Sequence, residues 1–250
     1  MGLIKPPIKT PCQGGFVMKA LIFDTGPIIS LTLTNLLWIL KPLRQHFKGS
    51  FIIPEAVKFE VIDHPFKTKR FKFEAIQVLK ELYEGTFNLV KSEKVKSLAQ
   101  EFLEVTNHTF KAHGSFIQVV QPGEMEVLAA AKLLGAKAIV VDERTTRMLV
   151  EEPHKLKELM QSKLHTKVVV DNEKLNELIS LTHDIKVIRS VELATIAYEL
   201  KILNNYIVKT EERAYKNMKK ELLDSVLWGL KLNGCSVSQN EIEDILKMEF

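Results

Sequence analysis

Four acidic residues occupy positions where carboxylates do chemistry. Asp24 ends the apolar run Ala20 to Phe23, and Asp142 ends the run Ala138 to Val141. Glu60 follows Ala56 and Val57 at i−4 and i−3, and Glu124 precedes Val127 and Leu128 at i+3 and i+4, so each borders an apolar helical stripe. A carboxylate in such a place is costly unless it is paired, hydrogen-bonded or holding a metal. Four acids gathered without matching cations repel one another, and a hard divalent ion relieves that repulsion. Oxygen-only ligands suit Mg²⁺ or Mn²⁺ rather than structural zinc. Such a site activates water against a phosphodiester and offsets the charge that develops. Plainer roles exist for the same residues. Asp24, and Asp142 with Glu143, are good helix caps. Glu60 and Glu124 fit half-exposed helix acids, the latter favoured in a first turn by the helix dipole.

The elements that must position these acids alternate along the chain. Strand-length apolar runs are expected at Ala20 to Phe23, Phe51 to Ile53, Phe87 to Val90, Phe116 to Val120, Ala138 to Val141, Lys167 to Val170 and Lys186 to Ile188. Between them the patterning predicts helices from Thr25 to about Leu40, from Pro54 through Ile62, from Phe71 to Tyr83 (apolar Ile76, Leu79, Leu82), over about 94–107, and from Glu124 to Leu134 with Gly135 as its stop. Further helices are expected after Asp142 and up to Ile179. This rhythm predicts an α/β fold, a parallel sheet covered by helices on both faces. In such a sheet the carboxyl ends of the strands share one edge, so Asp24 and Asp142 converge on the crevice where ligands bind. Residues 190–203, 209–232 and 238–248 read as helices, the last opened by a capping box of Ser238 and Glu241. The expected division is a tail over 1–17, an α/β domain over 18–189, and a helical C-terminal extension over 190–250. The extension is too apolar to stand free. It must pack on the core or on another chain, and a homodimer is one expectation. Met18 reads as an alternative start.

The segments around the acids resemble a known family. Leu21-Ile22-Phe23-Asp24-Thr25-Gly26-Pro27, Ile53-Pro54-Glu55-Ala56-Val57-Lys58-Phe59-Glu60, Pro122-Gly123-Glu124-Met125-Glu126-Val127 and Ala138-Ile139-Val140-Val141-Asp142-Glu143-Arg144 are similar, in order, to the four acidic segments of the PIN-domain nucleases. The resemblance covers roughly residues 18–150. It implies a PIN-like nuclease domain over 18–189 with a Rossmann-like α/β/α sandwich and a parallel sheet, a Mg²⁺ or Mn²⁺ site held by Asp24, Glu60, Glu124 and Asp142, Thr25 as a supporting hydroxyl, and cleavage of single-stranded RNA. Glu126 competes with Glu124 for the third place. A catalytically weak PIN-like module that binds RNA or protein is the alternative. An antitoxin-type protein partner belongs to the same resemblance. However, the small VapC-like toxins of this family are much shorter, lacking the insert around 63–115 and the tail after 190.

Other features bound the answer. The 250 residues carry 35 Lys+Arg against 31 Asp+Glu, a formal charge of +4 that permits a nucleic-acid partner without requiring one. Arg144 and Arg147 follow Asp142 and could meet RNA phosphates. Lys67-Thr68-Lys69-Arg70 with Lys72 forms a basic run, and its neighbours Phe66, Phe71 and Phe73 read as core. Two cysteines exclude a disulfide framework and a four-cysteine zinc site, which favours a reducing, cytoplasmic setting. The uncharged stretch Thr25 to Leu40 is too short for a membrane span. The seven histidines show no metal spacing. A haloacid-dehalogenase start at Asp24 is excluded because Gly26 stands where a second Asp is needed, and Cys235 stands where a phosphate loop needs Lys.

Overall fold

Short β-branched and aromatic runs, buried on both faces, build the centre of the molecule. The computed structural model describes residues 19–136, 138–207 and 217–250. The strands are β1 (Ala20–Phe23), β2 (Ser50–Pro54), β3 (Phe87–Val90), β4 (Phe110–Ala112), β5 (Ser115–Phe116), β6 (Ala138–Val140), β7 (Val168–Val170) and β8 (Lys186–Ile188). Five of them form one sheet in the order β3-β2-β1-β6-β8, and every neighbouring pair is parallel. The chain winds outward from β1 to β3, then crosses back to β6 and β8. The direction therefore reverses between β1 and β6, the topological switch point where α/β sheets bind ligands.

The helices are α1 (Thr25–Leu33), α2 (Leu40–Phe47), α3 (Glu55–Lys58), α4 (His64–Phe66), α5 (Lys72–Tyr83), α6 (Glu93–Asn107), α7 (Pro122–Leu134), α8 (Arg144–Glu151), α9 (Leu156–Leu164), α10 (Asn172–Thr182), α11 (Ser190–Glu199), α12 (Met218–Leu232) and α13 (Gln239–Glu249). With the parallel sheet they make a Rossmann-like α/β/α sandwich carrying additional C-terminal helices. Phe23 anchors the core, its ring 5.0 Å from that of Phe51 and 5.3 Å from that of Phe87. The bounds of β1 and β3 agree with the sequence expectation. So does the capping box of α13, where Ser238 Oγ accepts the Glu241 N–H at 3.1 Å and Glu241 accepts the Ser238 N–H at 2.8 Å.

Several expectations need correction. The helix expected from Thr25 to Leu40 stops at Leu33. Thr32 and Thr34 donate their hydroxyls to the carbonyls of Ile28 and Ser30, and Asn35 takes a left-handed φ of 57°. The helix expected through Ile62 becomes a π-helical turn over Phe59–Asp63 after α3. Phe71 lies outside α5 at φ 60°, and the helix buries Ala75, Val78 and Leu82 while Ile76 is exposed. The strand at 168–170 belongs to a second, antiparallel sheet, β5-β4-β7, rather than to the parallel one. Its hairpin turns at His113 (φ 51°) and Gly114 (φ 80°), a two-residue turn with both central residues left-handed, as the strand twist requires. The expected tail over 1–17, the start at Met18, and residues 209–216 of the expected helix lie outside the described residues.

The C-terminal helices pack within the chain itself. Leu193, Leu223, Val226, Leu227 and Leu230 are buried. Ser30 Oγ donates to the Asn233 carbonyl at 3.3 Å, and a Cβ on Gly229 would lie 2.8 Å from Thr34 Cγ2, so α12 runs directly against α1. Arg189, half-sunk between α11 and α13, pairs with Glu192 and Glu241 and donates to the Ser236 carbonyl. Among the described residues no single helix is long and apolar enough to cross a membrane.

Candidate functional site

The end of β1 runs into α1 without a loop. Asp24 takes the cap position: its backbone is extended (ψ 169°), its N–H continues the sheet to the Val140 carbonyl at 2.9 Å, and its Oδ2 accepts the Gly26 N–H at 3.4 Å. The cap explains why an acid is tolerated there but not why it is buried. Asp24 is nearly inaccessible, and its pKa is raised to about 7. Burial is the main cause. The N–H groups of Thr25 and Gly26 oppose it, and the negative charges of Glu124 and Glu60 add to it.

Glu60 reaches the same crevice from the π-helical turn. Packing five residues into that turn directs Val61 and Ile62 inward and leaves Phe59 and Glu60 exposed, which corrects the expectation that Glu60 lies along an apolar stripe. Its Oε2 accepts the Thr25 hydroxyl at 2.7 Å. Its Oε1 lies where a side chain on Gly123 would begin, 2.8 Å from an ideal Cβ. Only a glycine in the first turn of α7 gives that carboxylate its place.

Glu124 follows in the same turn. Its Oε2 accepts the Gln121 N–H at 2.7 Å, closing a capping box. Burial raises its pKa. The Gln121 N–H and Thr146 hold it down, and the charges of Glu143 and Glu60 push it up. Glu126 is placed elsewhere: its Oε2 accepts the Ala56 N–H at 3.0 Å and so caps α3. Of the two rivals, Glu124 is the one whose charge is felt by Asp24.

Asp142 stands beside Asp24 in the backbone, since a Cβ on Gly26 would lie 3.4 Å from Asp142 Cβ and 3.6 Å from Asp24 Oδ2. Its carboxylate is engaged on the side of α11. Oδ1 accepts the Ser190 N–H and Oδ2 the Ser190 hydroxyl, both at 2.7 Å, and the residue is only 2% exposed. The Cys235 thiol lies against the same pair. Burial, with the Asp142 charge, pushes it up to about 12, which makes it an inert neutral thiol. Three of the four predicted acids, Asp24, Glu60 and Glu124, thus sense one another, and the fourth is turned to α11.

Glu143 is the acid that the sequence reading used only as a cap. It does cap α8, accepting the Thr146 N–H at 2.7 Å, but its charge also reaches Glu124. The signal was its place directly after a strand-ending acid. Lys163 is 3.8 Å from Glu143 and donates to Thr145. Arg144 is exposed on this edge, whereas Arg147 is drawn back to Glu151 and the Ser236 carbonyl.

Among the described residues no three His, Cys, Asp or Glu side chains close into a ready-made metal cage. The chemistry of the donor set fits a hard divalent cation all the same. Asp24, Glu60 and Glu124 offer only oxygen, and no Lys or Arg figures among the groups that shift Asp24 or Glu124. The chain matches no protein-family model, no curated protein and no solved structure.

Proposed function

We propose that the chain is a metal-dependent endoribonuclease of the PIN type that hydrolyses phosphodiester bonds in single-stranded RNA. The observation that carries this reading is the meeting of Asp24, Glu60 and Glu124 at the switch point of the sheet, where burial and mutual repulsion raise Asp24 to about 7 with no basic partner among the described residues. Asp24, Glu60 and Glu124 would hold Mg²⁺ or Mn²⁺, with Asp142 joining them once it is released from Ser190. A bound ion of this kind supplies an acidified water and charge neutralisation at phosphorus. Taking up an ion would release the proton that burial favours on Asp24. Thr25 orients Glu60 through its hydroxyl, and the Gln121 N–H orients Glu124. Arg144, exposed beside the strand end, meets a phosphate. The cytoplasm suits this substrate and the free thiol.

The two hydrogen bonds from Ser190 to Asp142 favour a second reading, a catalytically weak module that binds RNA. Cleavage of labelled single-stranded RNA in Mn²⁺, stopped by EDTA and abolished by Asp24→Asn in a folded protein, distinguishes the two. Binding without cleavage in any divalent ion leaves the module.

A further inference from the structure

The segment that carries Glu60 continues into a surface with unusual composition. His64 to Phe73 contains four cations (Lys67, Lys69, Arg70, Lys72), three phenylalanines and no acid. The sequence reading takes Phe66, Phe71 and Phe73 for core. Phe66 is partly buried, but Phe71 is 42% exposed and Phe73 69%, and Phe59, next to Glu60, is 46% exposed. Lys67 Nζ lies 5.4 Å from the centre of the Phe59 ring, and Arg70 Cζ 4.6 Å from that of Phe71. The turn is pinned by Thr68, whose hydroxyl donates to the carbonyls of Pro65 and Arg70. Among the described residues none of these four cations forms an ion pair, although nearby Lys58 is bonded to Asp63 and Lys41 to Glu84. Two backbone features maintain the arrangement. The π-helical turn aims Phe59 outward, and Phe71 sits at φ 60°, a conformation unfavourable for a bulky residue. Between them opens an apolar pocket walled by Ile28, Ile29, Leu33, Val61, Pro65 and Phe71, with Glu74 at its wall.

Exposed rings interleaved with unpaired cations are what a single nucleic-acid strand requires: flat faces for bases and point charges for phosphates. A protein partner would use the apolar pocket, but protein interfaces are depleted of lysine, and the segment that supplies Pro65 and Phe71 to its wall carries Lys67, Lys69, Arg70 and Lys72. We propose that Phe59 to Phe73 is the docking surface for single-stranded RNA, stacking bases on Phe59 and Phe71, pairing phosphates with Lys67, Lys69, Arg70 and Lys72, and leading the strand onto Glu60. This inference rests on the ribonuclease reading for its class of ligand.

The test is fluorescence anisotropy of a labelled oligouridylate of about 12 nucleotides with the full chain in EDTA, so that binding is read without cleavage. Phe59→Leu and Phe71→Leu should each weaken binding about fivefold or more, and Phe59→Trp should retain it. Replacing all four cations by Gln should lower the slope of log affinity against log salt by about 3. Circular dichroism confirms that each variant is folded. Three results overturn the inference: no binding of the oligonucleotide at low salt, binding unchanged in the Phe59 and four-cation variants, or light scattering that shows this face joining two copies of the chain in place of RNA. RNA bound here with no cleavage in Mn²⁺ leaves the inference standing and removes the nuclease. Cleavage with an unchanged KM in these variants does the reverse.

Discussion

Ser190 holds both oxygens of Asp142, one through its backbone N–H and one through its hydroxyl, each at 2.7 Å. The carboxylate that follows β6 therefore also satisfies the first N–H of α11, and it ties the sheet edge to the C-terminal helices. Ser190→Ala keeps the backbone bond but leaves one buried oxygen unsatisfied. The expected loss is about 1–3 kcal/mol of stability, measured by urea unfolding. Asp142→Asn should destabilise by a similar amount, and the double variant by much less than the sum. Additive losses would show that the two side chains act separately.

The Asp24 carboxyl gives stability a distinct pH dependence. Its pKa is higher in the folded chain than in the unfolded one, so folding takes up a proton as pH falls, and the folded state is favoured at low pH. The penalty for ionising Asp24 begins near pH 4, grows until about pH 7 and is constant above that. Asn is an equally good helix cap. Asp24→Asn should therefore raise the melting temperature at pH 8, by an amount of order 2–4 kcal/mol in stability, with the difference vanishing near pH 3. Millimolar Mn²⁺ should stabilise the wild type at pH 8 and the variant little. Equal melting curves for the two proteins at pH 8 would sink this account.

Gly123 gives Glu60 its space. Alanine there would bring a Cβ within 2.8 Å of Glu60 Oε1, but the carboxylate is the free end of a flexible side chain and can swing away. Gly123→Ala should leave the thermal midpoint within a degree or two, since alanine favours the helix. The same change should reduce Mn²⁺-dependent RNA cleavage about tenfold or more, because Glu60 leaves its bond to Thr25. Unaltered cleavage in the alanine variant would remove Glu60 from the metal site.

Much of the frame could be read along the chain because the strands at the centre of the parallel sheet are short, largely apolar runs, with an acid after β1 and a proline ending β2. Ala20–Phe23 before Asp24 and Ala138–Val140 before Asp142 need no tertiary information, and the placement of both acids at one sheet edge follows from parallel pairing. What local patterning missed depends on geometry. Alternation could not distinguish Val168–Val170 in an antiparallel sheet from a strand of the parallel one. Nothing in Phe59-Glu60-Val61-Ile62 announces a π-helical turn, so the phase of Glu60 was misjudged. The direction of the Asp142 carboxylate is set by Ser190, which is 48 residues away in the chain. Phe71 looked like the first core residue of a helix, but its left-handed backbone places it outside.

The hydroxyl of Ser30 is shared between the Gly26 carbonyl of its own helix, at 3.0 Å, and that of Asn233, 203 residues further along, at 3.3 Å. At bacterial or eukaryotic elongation rates of about 5–20 residues per second, α1 emerges some 10–40 seconds before the helix that shields it. During that interval a sticky flank of the nascent polypeptide faces the cell unprotected. Burial of that flank therefore waits until α12 has been synthesised, and chaperone occupancy should be greatest on nascent chains that have not yet reached it.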